Sequence, residues 1–503
     1  MKKLTLRAFL LLLAILMVIP FAGCQETPTP QETDPVTDPA ETDPTTDPST
    51  DPETDPETNP EGPNRPDEKF NGTEFTILIR DNEVYLEDIY IRELDAHTTS
   101  VQRAVYQRLS DITHTYGVIF DAVTDTSTSE KVSNAAKGQL DTFDLVVDHG
   151  RTMFSSAVGN NFYDWNNLPY VDLTADWWNR EAVEEFSTPG GKLFTMLGDI
   201  SHMSVGTAFC MFFNKALVED VEGLASPYDL VRDNQWLFET FEEYVATLDS
   251  SLDGDGSGLL ETDSFGYGTW YWRGPIQLLY STGYRVLEWK NDDWKFTLDN
   301  DTTNSAAFDM RELLFHSGSA VMSHVDNYLD LKQAFIDKRV AFMDGQVDEA
   351  RVFAGSDTSY GVLPWPKYNK RVKEYFSAVD AGTNLYGVMR NTSEENAKRI
   401  SIVLEAMAYA GHKDVMPLYF DTILSYQYLK DEESIEMLHI IHENLVIDFG
   451  YFYSKVCNLF ADVATDETLG SLTKALDELE ESAREDLYEK WNALDELEDE
   501  EAA

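Results

Sequence analysis

Strand-like and helical segments alternate along the first part of the globular sequence. A run rich in aromatic and β-branched residues, 70–79, ends at Arg80, and helical patterns follow over 100–116 and near 129–138. A second strand-like run begins at Asp144. Strands that alternate with helices at this spacing are typical of a parallel, doubly wound sheet. The sequence therefore predicts an α/β fold, in which ligands bind beyond the carboxyl ends of the strands.

The stretch 190–216 contains two apolar runs that are separated by a polar segment. The runs cover 192–197 and 207–213, and the polar segment covers 199–206. Taken alone, the stretch is also compatible with an ordinary pair of neighbouring strands, because short apolar runs are ambiguous. The polar segment equally suits a connection that carries the chain from one lobe to another.

Residues 1–24 have the composition of an export signal. Three basic residues precede an apolar run, 9–19, which is typical of a signal peptide and is too short for a comfortable membrane-spanning helix. Small residues stand directly before Cys24, a pattern that resembles a bacterial lipobox, although Phe21 stands where leucine is usual. We therefore predict that Cys24 is lipidated and becomes the first residue of the mature chain. Plain secretion is the alternative.

Residues 25–66 repeat the triplet Thr-Asp-Pro and contain almost no apolar side chains. Repeated proline prevents helix formation and like charges repel, so this composition predicts an extended, solvated tether with no binding role. The whole chain has a formal net charge of −53. Such a charge disfavours nucleic acid as a partner, since phosphates require Lys and Arg.

Cysteine chemistry contributes little to the prediction. Apart from Cys24, the chain contains Cys210 and Cys457, and both lie in apolar runs. A disulfide is conceivable in an exported chain, but we expect buried free thiols. The sequence has no CxxC pair and no His/Cys cluster of the kind that binds zinc.

Five segments of the chain follow one another in an order that is known from one family. They are a Gly-Lys-Leu to Phe-Asn-Lys segment (191–215), an aromatic segment (269–284), a segment that begins Ala-Phe-Ile-Asp-Lys (334–345), a Tyr-Gly-Val-Leu-Pro-Trp-Pro-Lys segment (360–367) and a further apolar segment (376–388). In this order they resemble the extracellular solute-binding proteins (family 1) of ABC importers, the group that includes the maltose-binding proteins. The resemblance covers about residues 70–450, with Lys338 where glycine is usual.

The resemblance implies a type II periplasmic-binding-protein fold, with two doubly wound lobes joined by a hinge of several crossings. The implied first lobe comprises 67–204 and 345–382, and the second comprises 205–344 and 383–503, including a helical C-terminal extension. It further implies a monomeric lipoprotein on the extracellular face of the cell membrane, which only its lipid attaches to the bilayer. Such a protein captures a carbohydrate, foremost an oligosaccharide, and delivers it to ABC permease subunits. A peptide or another polar solute is the alternative ligand.

Sugar-binding sites combine aromatic rings with charged and amide side chains that form hydrogen bonds with hydroxyls. The positions that match the family pattern therefore give the candidate ligand-binding residues, and for each a place in the core or on the surface is the alternative. They are Asp148, His149 and Arg151 after a predicted strand, Asp199 and His202 at the first crossing, Trp270, Tyr271 and Trp272 in the aromatic segment, Asp344, Gln346 and Asp348 at the second crossing, and Trp365. Trp177 and Trp178 are instead expected to form a packing corner.

An acidic, glycine-rich loop is a candidate metal site. It is similar to the start of a calcium-binding EF-hand loop, in which oxygen atoms bind the ion. The register is imperfect, because Ser251 stands in the first ligand position. Calcium is thus weighed against a plain acidic turn, and no other cofactor is expected. The candidate ligands are Asp253, Asp255, Ser257, Glu261 and Asp263.

The sequence gives little support for catalysis. A glycosidase needs two carboxylates at a defined separation, which the sequence does not specify. No G-x-S-x-G, H-E-x-x-H or P-loop motif occurs. We therefore expect a binding protein and no enzyme. A secreted carbohydrate-active enzyme and a cell-surface adhesion or scaffold protein are the alternatives.

Overall fold

The computed structural model describes residues 63, 66–138, 143–219, 221–251 and 263–497. Among the helices in these ranges, none combines the length and apolar composition that a membrane span requires. Some of the predictions concern residues outside these ranges. They are the signal peptide with Cys24, the tether apart from two residues, and the candidate calcium ligands Asp253, Asp255, Ser257 and Glu261.

Strands and helices alternate along most of the described chain. The strands are β1 (Glu74–Arg80), β2 (Ile119–Asp125), β3 (Leu145–His149), β4 (Phe209–Asn214), β5 (Ser250–Ser251), β6 (Asp263–Trp270), β7 (Leu287–Trp289), β8 (Trp294–Phe296), β9 (Ala320–Ser323), β10 (Val340–Gln346), β11 (Tyr360–Leu363), β12 (Ser377–Ala378), β13 (Asn384–Gly387) and β14 (Leu445–Val446). The longer α-helices are Ser100–Tyr116, Thr128–Ala136, Gly150–Val158, Phe238–Leu248, Arg273–Ser281, Asp301–Phe315, Glu394–Ala410, Glu432–Glu443 and Leu472–Asp486. Shorter α-helices are Glu83–Glu87, Arg180–Phe186, Met203–Gly206, Lys215–Val218, Pro227–Arg232, Leu331–Ile336, Ala350–Ala354, Phe449–Phe452 and Leu459–Thr465, and π-helical turns cover Gly411–Val415, Leu418–Leu429 and Leu487–Trp491.

The first sheet has four strands in the order β13-β3-β1-β2. β1 is parallel to β2 and β3, whereas β13 is antiparallel to β3. The inner strands β1 and β3 consist largely of buried apolar residues, as expected of parallel strands that are covered on both faces. The α/β architecture predicted from the alternation of strands and helices is thus confirmed. We call this sheet, with the helices that pack on it, the first lobe.

The second sheet has six strands, in the order β11-β4-β10-β6-β5 with β9 paired to β6. β6 is parallel to β9 and β10, and β4 is antiparallel to β10 and β11. Every residue of β4 is buried, in agreement with the apolar run at 207–213. We call this sheet, with its helices, the second lobe.

The apolar run at 192–197 does not form a strand. Leu193 bridges Ser187, and Met196 bridges Tyr386 of β13. Because the two ends of the run pair with different partners, no continuous ladder forms. Of the two strand-like runs, the first thus forms no strand and the second forms β4. The alternative of an ordinary pair of neighbouring strands is wrong.

Two neighbouring connections join the sheets. The first connection, 199–208, leads from the bridge at Met196 to β4 of the second sheet. The second connection, 379–384, leads back to β13 in the first sheet. Ala208 bridges Val379, and the Asp380 amide donates to the Thr207 carbonyl at 3.2 Å. The polar segment 199–206 therefore does carry the chain between the lobes.

The strand pairing differs from the predicted lobe boundaries. β11 lies in the second sheet beside β4, although the prediction assigns 345–382 to the first lobe. β13 lies in the first sheet, although the prediction assigns 383–503 to the second lobe. Residues 344–348 consequently form no crossing, because β10 and β11 both pair with β4 and the chain stays in one sheet.

The helices after β14 contact both lobes. Phe154 of the first lobe has its ring 5.4 Å from the rings of Phe449 and of Trp491. Arg311 of the second lobe donates from Nε to the Val463 carbonyl at 3.1 Å. The acidic helix Leu472–Asp486 of the C-terminal extension buries most of its apolar side chains.

Candidate functional site

The carboxyl ends of β1 and β3 lie side by side in the first lobe. Because the two strands are parallel and paired, the residues that follow them gather at one edge of the sheet. The sequence predicted the β3 end of this group, and the structure adds the β1 end. The residues at this edge are Arg80 at the end of β1, Tyr85 and Asp88 after it, Asp148 and His149 at the end of β3, and Arg151 after it.

The second lobe presents an equivalent edge. β6, β9 and β10 are parallel, so their carboxyl ends also meet. The residues at this edge are Trp270 at the end of β6, Tyr271, Trp272 and Arg273 after it, His324 after β9, Asp344 and Gln346 near the end of β10, and Asp348 and Glu349 after it.

Charges from both edges act on Asp380 in the second connection. Burial raises the pKa of the Asp380 carboxyl, and the Gly382 amide, Arg273 and Arg151 oppose this rise. Arg151 belongs to the first lobe and Arg273 to the second, so Asp380 lies where the lobes meet. We call this group the polar cluster, and its members are Arg80, Arg151, Arg273, Asp344, Glu349 and Asp380.

The second connection holds Arg80 in place. Nη2 of Arg80 donates to the Gly382 carbonyl at 2.6 Å and to Oδ1 of Asn384 at 2.8 Å. The guanidinium also lies over the Tyr85 ring, with Cζ 3.5 Å from the ring centroid. These contacts fix the charge of Arg80 at the edge of the first lobe.

Arg273 pairs with the carboxylates at the second-lobe edge. Its Nη1 lies 3.0 Å from Oε2 of Glu349, and Nζ of Lys332 lies 2.7 Å from Oε1. Burial opposes ionisation of Glu349, but Arg273 and Lys332 lower its pKa below the ordinary value. Asp344 is more distant, with 4.0 Å between its Oδ2 and Nε of Arg273. Burial raises the pKa of Asp344 to about 6.

His149 is neutral at physiological pH. Burial, followed by the nearby charges of Arg80 and Arg151, lowers its pKa to about 4. Nδ1 of His149 accepts a hydrogen bond from the Arg151 amide at 3.2 Å, which places the ring proton on Nε2. A neutral imidazole at this edge can therefore donate a hydrogen bond without adding charge.

Some buried atoms of the polar cluster have no hydrogen-bond partner within the described ranges. Buried polar atoms are normally paired, and leaving one unpaired costs about 1–3 kcal/mol. The atoms comprise three donors and two acceptors, and a hydroxyl group can satisfy either kind because it both donates and accepts. They are Nε of Arg80, Arg151 and Arg273, and Oδ2 of Asp344 and Asp380.

His202 and Asp348 form a second group beside the first connection. Nδ1 of His202 lies 2.7 Å from Oδ1 of Asp88, and the imidazole ring lies 4.4 Å from the Tyr419 ring. Tyr419 donates from its hydroxyl to Oδ1 of Asp348 at 3.3 Å. This chain of contacts runs from Asp88 in the first lobe to Asp348 in the second.

Other predicted residues lie away from the polar cluster. Trp365 is wholly buried in the core of the second lobe, where its ring contacts Phe241 and Tyr267. Asp199 pairs with Nδ1 of His412 at 2.7 Å and lines a separate cavity of about 360 Å³. Neither residue is therefore placed to reach the same ligand as Arg151 and Arg273.

The candidate calcium ligand Asp263 is buried at the amino end of β6. It thus lies at the opposite end of that strand from Trp270. Within the part of the chain that the structure describes, His, Cys, Asp and Glu side chains form no group of three or more that could hold a metal ion.

The three aromatic residues at and directly after the end of β6, Trp270, Tyr271 and Trp272, are half-buried. Trp272 packs against Phe209, with 5.9 Å between ring centroids. Trp270 and Tyr271 instead contact residues that follow β9, so they lie farther out on the edge. Among the three, Trp270 and Tyr271 are the better placed to contact a ligand.

Sequence reasoning missed four members of the polar cluster. Arg80 could have been predicted from the sequence, because it ends a predicted strand at the same sheet edge as Asp148. Arg273 could have been predicted in a similar way, because it directly follows Trp272 of the aromatic segment. The sequence contains no pattern that predicts Glu349 or Asp380, since their positions depend on how the connections fold in three dimensions.

No protein-family model matches the chain, and no curated protein matches it in sequence. Solved structures do match. The ABC substrate-binding protein Lmo0181 from Listeria monocytogenes, in complex with cycloalternan, has a TM-score of 0.53 at 12% identity and covers 83% of this chain and 99% of its own. UgpB from Mycobacterium tuberculosis, in complex with glycerophosphocholine, has a TM-score of 0.54 at 14% identity and covers 83% of this chain and 98% of its own.

The GacH receptor of Streptomyces glaucescens GLA.O, solved unliganded and in complex with acarbose, is also similar. Its TM-score is 0.53 at 15% identity, and the match covers 82% of this chain and 98% of the receptor. At these identities the likeness concerns the fold. The chain thus has the two-lobed α/β fold of the ABC substrate-binding proteins, as the order of its sequence segments implied.

Proposed function

We propose that this chain is an extracellular solute-binding protein of an ABC importer, which captures a carbohydrate between its two lobes. The polar cluster carries this proposal, because buried donors and acceptors from both lobes have no partner among the described residues, and the charges of Arg151 and Arg273 both act on Asp380. Vicinal hydroxyls of a sugar match such a mixed set, whereas a ligand that only accepts hydrogen bonds would leave the carboxylates unpaired.

The charges of the polar cluster favour a ligand without a large net charge. Arg273 and Lys332 face two carboxylates, Glu349 and Asp344. The remaining arginines, Arg80 and Arg151, lie near Asp148 and Asp380. An oligosaccharide meets this condition. A peptide with its charged termini is the alternative ligand.

Capture works by hinge closure in this proposal. A ligand that touches Arg151 and Arg273 together stabilises the closed arrangement, because only that arrangement presents both residues. The two connections beside Asp380 are short and adjacent, as a hinge requires. No chemical conversion of the ligand is proposed.

The proposed location follows from the sequence. Cys24 carries the lipid, the Thr-Asp-Pro tether separates the lobes from the membrane, and permease subunits on other chains receive the solute. The protein acts as a monomer in this proposal. Calcium bound by the acidic loop at 253–263 is a further proposal.

Thermal unfolding of a chain that begins at residue 67 tests these proposals. The protein is screened against oligosaccharides, peptides and calcium, and hits are titrated by calorimetry. We expect one saccharide class to raise the melting temperature, since a ligand that binds only the folded state stabilises it. Chromatography of the incubated sugar checks that it is not consumed.

The matched variants are Arg151→Met and Arg232→Met. Arg151 belongs to the polar cluster, whereas Arg232 pairs with Asp229 and Glu436 on the surface. Arg151→Met should weaken saccharide binding at least about tenfold, because a charge-assisted hydrogen bond is lost, and Arg232→Met should bind normally. Stabilisation by peptides alone, or equal affinities of both variants, would contradict the proposal.

A further inference from the structure

The helix Leu472–Asp486 attaches the C-terminal extension to the second lobe. Near its start, the Thr473 amide donates a hydrogen bond to Oδ1 of Asn304 in the second lobe at 3.1 Å. Near its end, Nη1 of Arg484 donates to Oδ1 of Asp293 at 2.6 Å, in the turn between β7 and β8. The helix is thus fixed to the second lobe at one end and to the β7–β8 turn at the other.

The residues that follow this helix attach the extension to the first lobe. The Asp495 carboxylate accepts hydrogen bonds from the Thr188 hydroxyl and, at 2.7 Å, from the Gly190 amide. Thr188 and Gly190 come directly after Phe186, whose ring lies 5.0 Å from that of Phe154 in the first lobe. The extension therefore bridges the two lobes at a place outside the hinge connections.

Arg285 forms a second bridge between the lobes. It follows the second-lobe helix Arg273–Ser281, and its Nη2 lies 2.5 Å from Oε1 of Glu181. Its Nη1 lies 3.3 Å from Oε1 of Glu185, and both glutamates belong to the first-lobe helix that ends at Phe186. Glu185 and Arg285 also line a cavity of about 450 Å³ that has residues of both lobes in its wall. The lobes thus do not pack directly on each other here, and polar interfaces of this kind permit domains to move.

The Arg285 bridge lies beside the polar cluster. Arg285 also donates to the Ile447 carbonyl, directly before the short helix Phe449–Phe452. On that helix, the Tyr451 ring faces the Arg151 guanidinium, with Cζ 5.1 Å from the ring centroid. Opening of the cleft separates the edges that carry Arg151 and Arg273, so the bridge beside them has to stretch or break.

We propose that Arg285 and the C-terminal extension form a clasp, which holds the two lobes together before a ligand binds. The inference rests on the hinge closure of the proposed function and adds a restraint that regulates it. Contacts that exist only in the closed arrangement raise its population in the free protein. The apparent dissociation constant falls as that population rises. The clasp therefore strengthens the binding of any ligand that both lobes contact, although it does not touch the ligand.

Small-angle X-ray scattering of the ligand-free protein tests the clasp. The variants are Arg285→Gln and Asp495→Ala, which each remove one bridge, and Arg232→Gln is the matched control. Arg232 pairs with Asp229 and Glu436 on the surface of the second lobe, so this control breaks ion pairs within one lobe. The radius of gyration should increase in Arg285→Gln and in Asp495→Ala, and it should not change in Arg232→Gln. Calorimetry should show saccharide binding about fivefold weaker in the two clasp variants.

The outcomes separate the clasp from the proposed function, because the scattering experiment needs no ligand. If the scattering curves of both clasp variants superpose on that of the wild type, the clasp is overturned, whichever ligand the protein binds. Expansion without any loss of affinity for a saccharide that binds the wild type would overturn it too. If both variants expand but no saccharide binds the wild type, the clasp stands and the proposed function fails.

Discussion

Nε1 of Trp178 donates a hydrogen bond to Oε2 of Glu405 at 3.0 Å. Nε1 of Trp177 donates to the other oxygen, Oε1, at the same distance. One carboxylate on the helix Glu394–Ala410 thus fixes both indoles, and the packing corner expected of the two tryptophans has an ionisable group at its centre. Burial raises the pKa of Glu405 to about 7, although the hydrogen bonds oppose the rise.

Glu405 should make the stability of the protein depend on pH. Its ordinary pKa is 4.5 and its folded pKa is about 7, so the folded state holds the proton more tightly than the unfolded state. The contribution of this group to the free energy of unfolding is therefore greatest at acid pH, and it falls as the pH rises from about 4.5 to 7. Over this pH range the free energy of unfolding of Glu405→Gln should fall by about 1–2 kcal/mol less than that of the wild type. Urea unfolding at several pH values measures the effect, and parallel curves for both proteins would contradict it.

Asp380→Asn should weaken ligand binding and leave the fold intact. The amide oxygen of asparagine can still accept from the Gly382 amide, but the negative charge beside Arg151 and Arg273 is lost. We expect an affinity about tenfold lower for the captured saccharide, since charge-assisted hydrogen bonds are lost. Calorimetry measures this change, with Asp337→Asn on the surface as the control. Unchanged affinity would remove Asp380 from the site.

Lys338 adopts a left-handed backbone conformation, with a φ of 60°. This is the position where the resembling family has glycine, and an L-residue there carries a strain of about 1 kcal/mol. Lys338→Gly relieves this strain, but glycine also gives the unfolded chain more conformational freedom, which opposes the gain. The free energy of unfolding should therefore rise by at most about 1 kcal/mol. The neighbouring Asp337→Gly has no such strain to relieve and should be destabilising. Denaturant unfolding of both variants checks the difference.

Gly411 lies against the first connection. A Cβ atom at this position would overlap the Asp199 carbonyl, which is a backbone atom and cannot turn away. Gly411→Ala should thus destabilise the protein by about 3 kcal/mol or more. Gly355 is the matched control, because the nearest atom to a Cβ there is 3.6 Å away, and Gly355→Ala should change stability by less than about 0.5 kcal/mol. Equal melting temperatures of the two variants would contradict this packing.

The inner strands of the first sheet, β1 and β3, were predictable because each is a short apolar run bounded by polar residues. The edge at Asp148, His149 and Arg151 was predictable for the same reason, since parallel strands place their ends together. The lobe boundaries were not, because the sequence of β11 contains nothing that says which sheet it joins. The burial of Trp365 was also not predictable, because a tryptophan between two prolines can lie in a core or in a binding site.

The described helices at the C-terminal end also determine when the first lobe can be completed. Thr188 donates to Asp495, which lies 307 residues later in the chain, and Phe154 packs against Trp491. During synthesis the residues of the first lobe leave the ribosome long before these partners exist. Contacts between such distant residues form slowly. The lobe that is made first is therefore among the last parts of the molecule to finish folding.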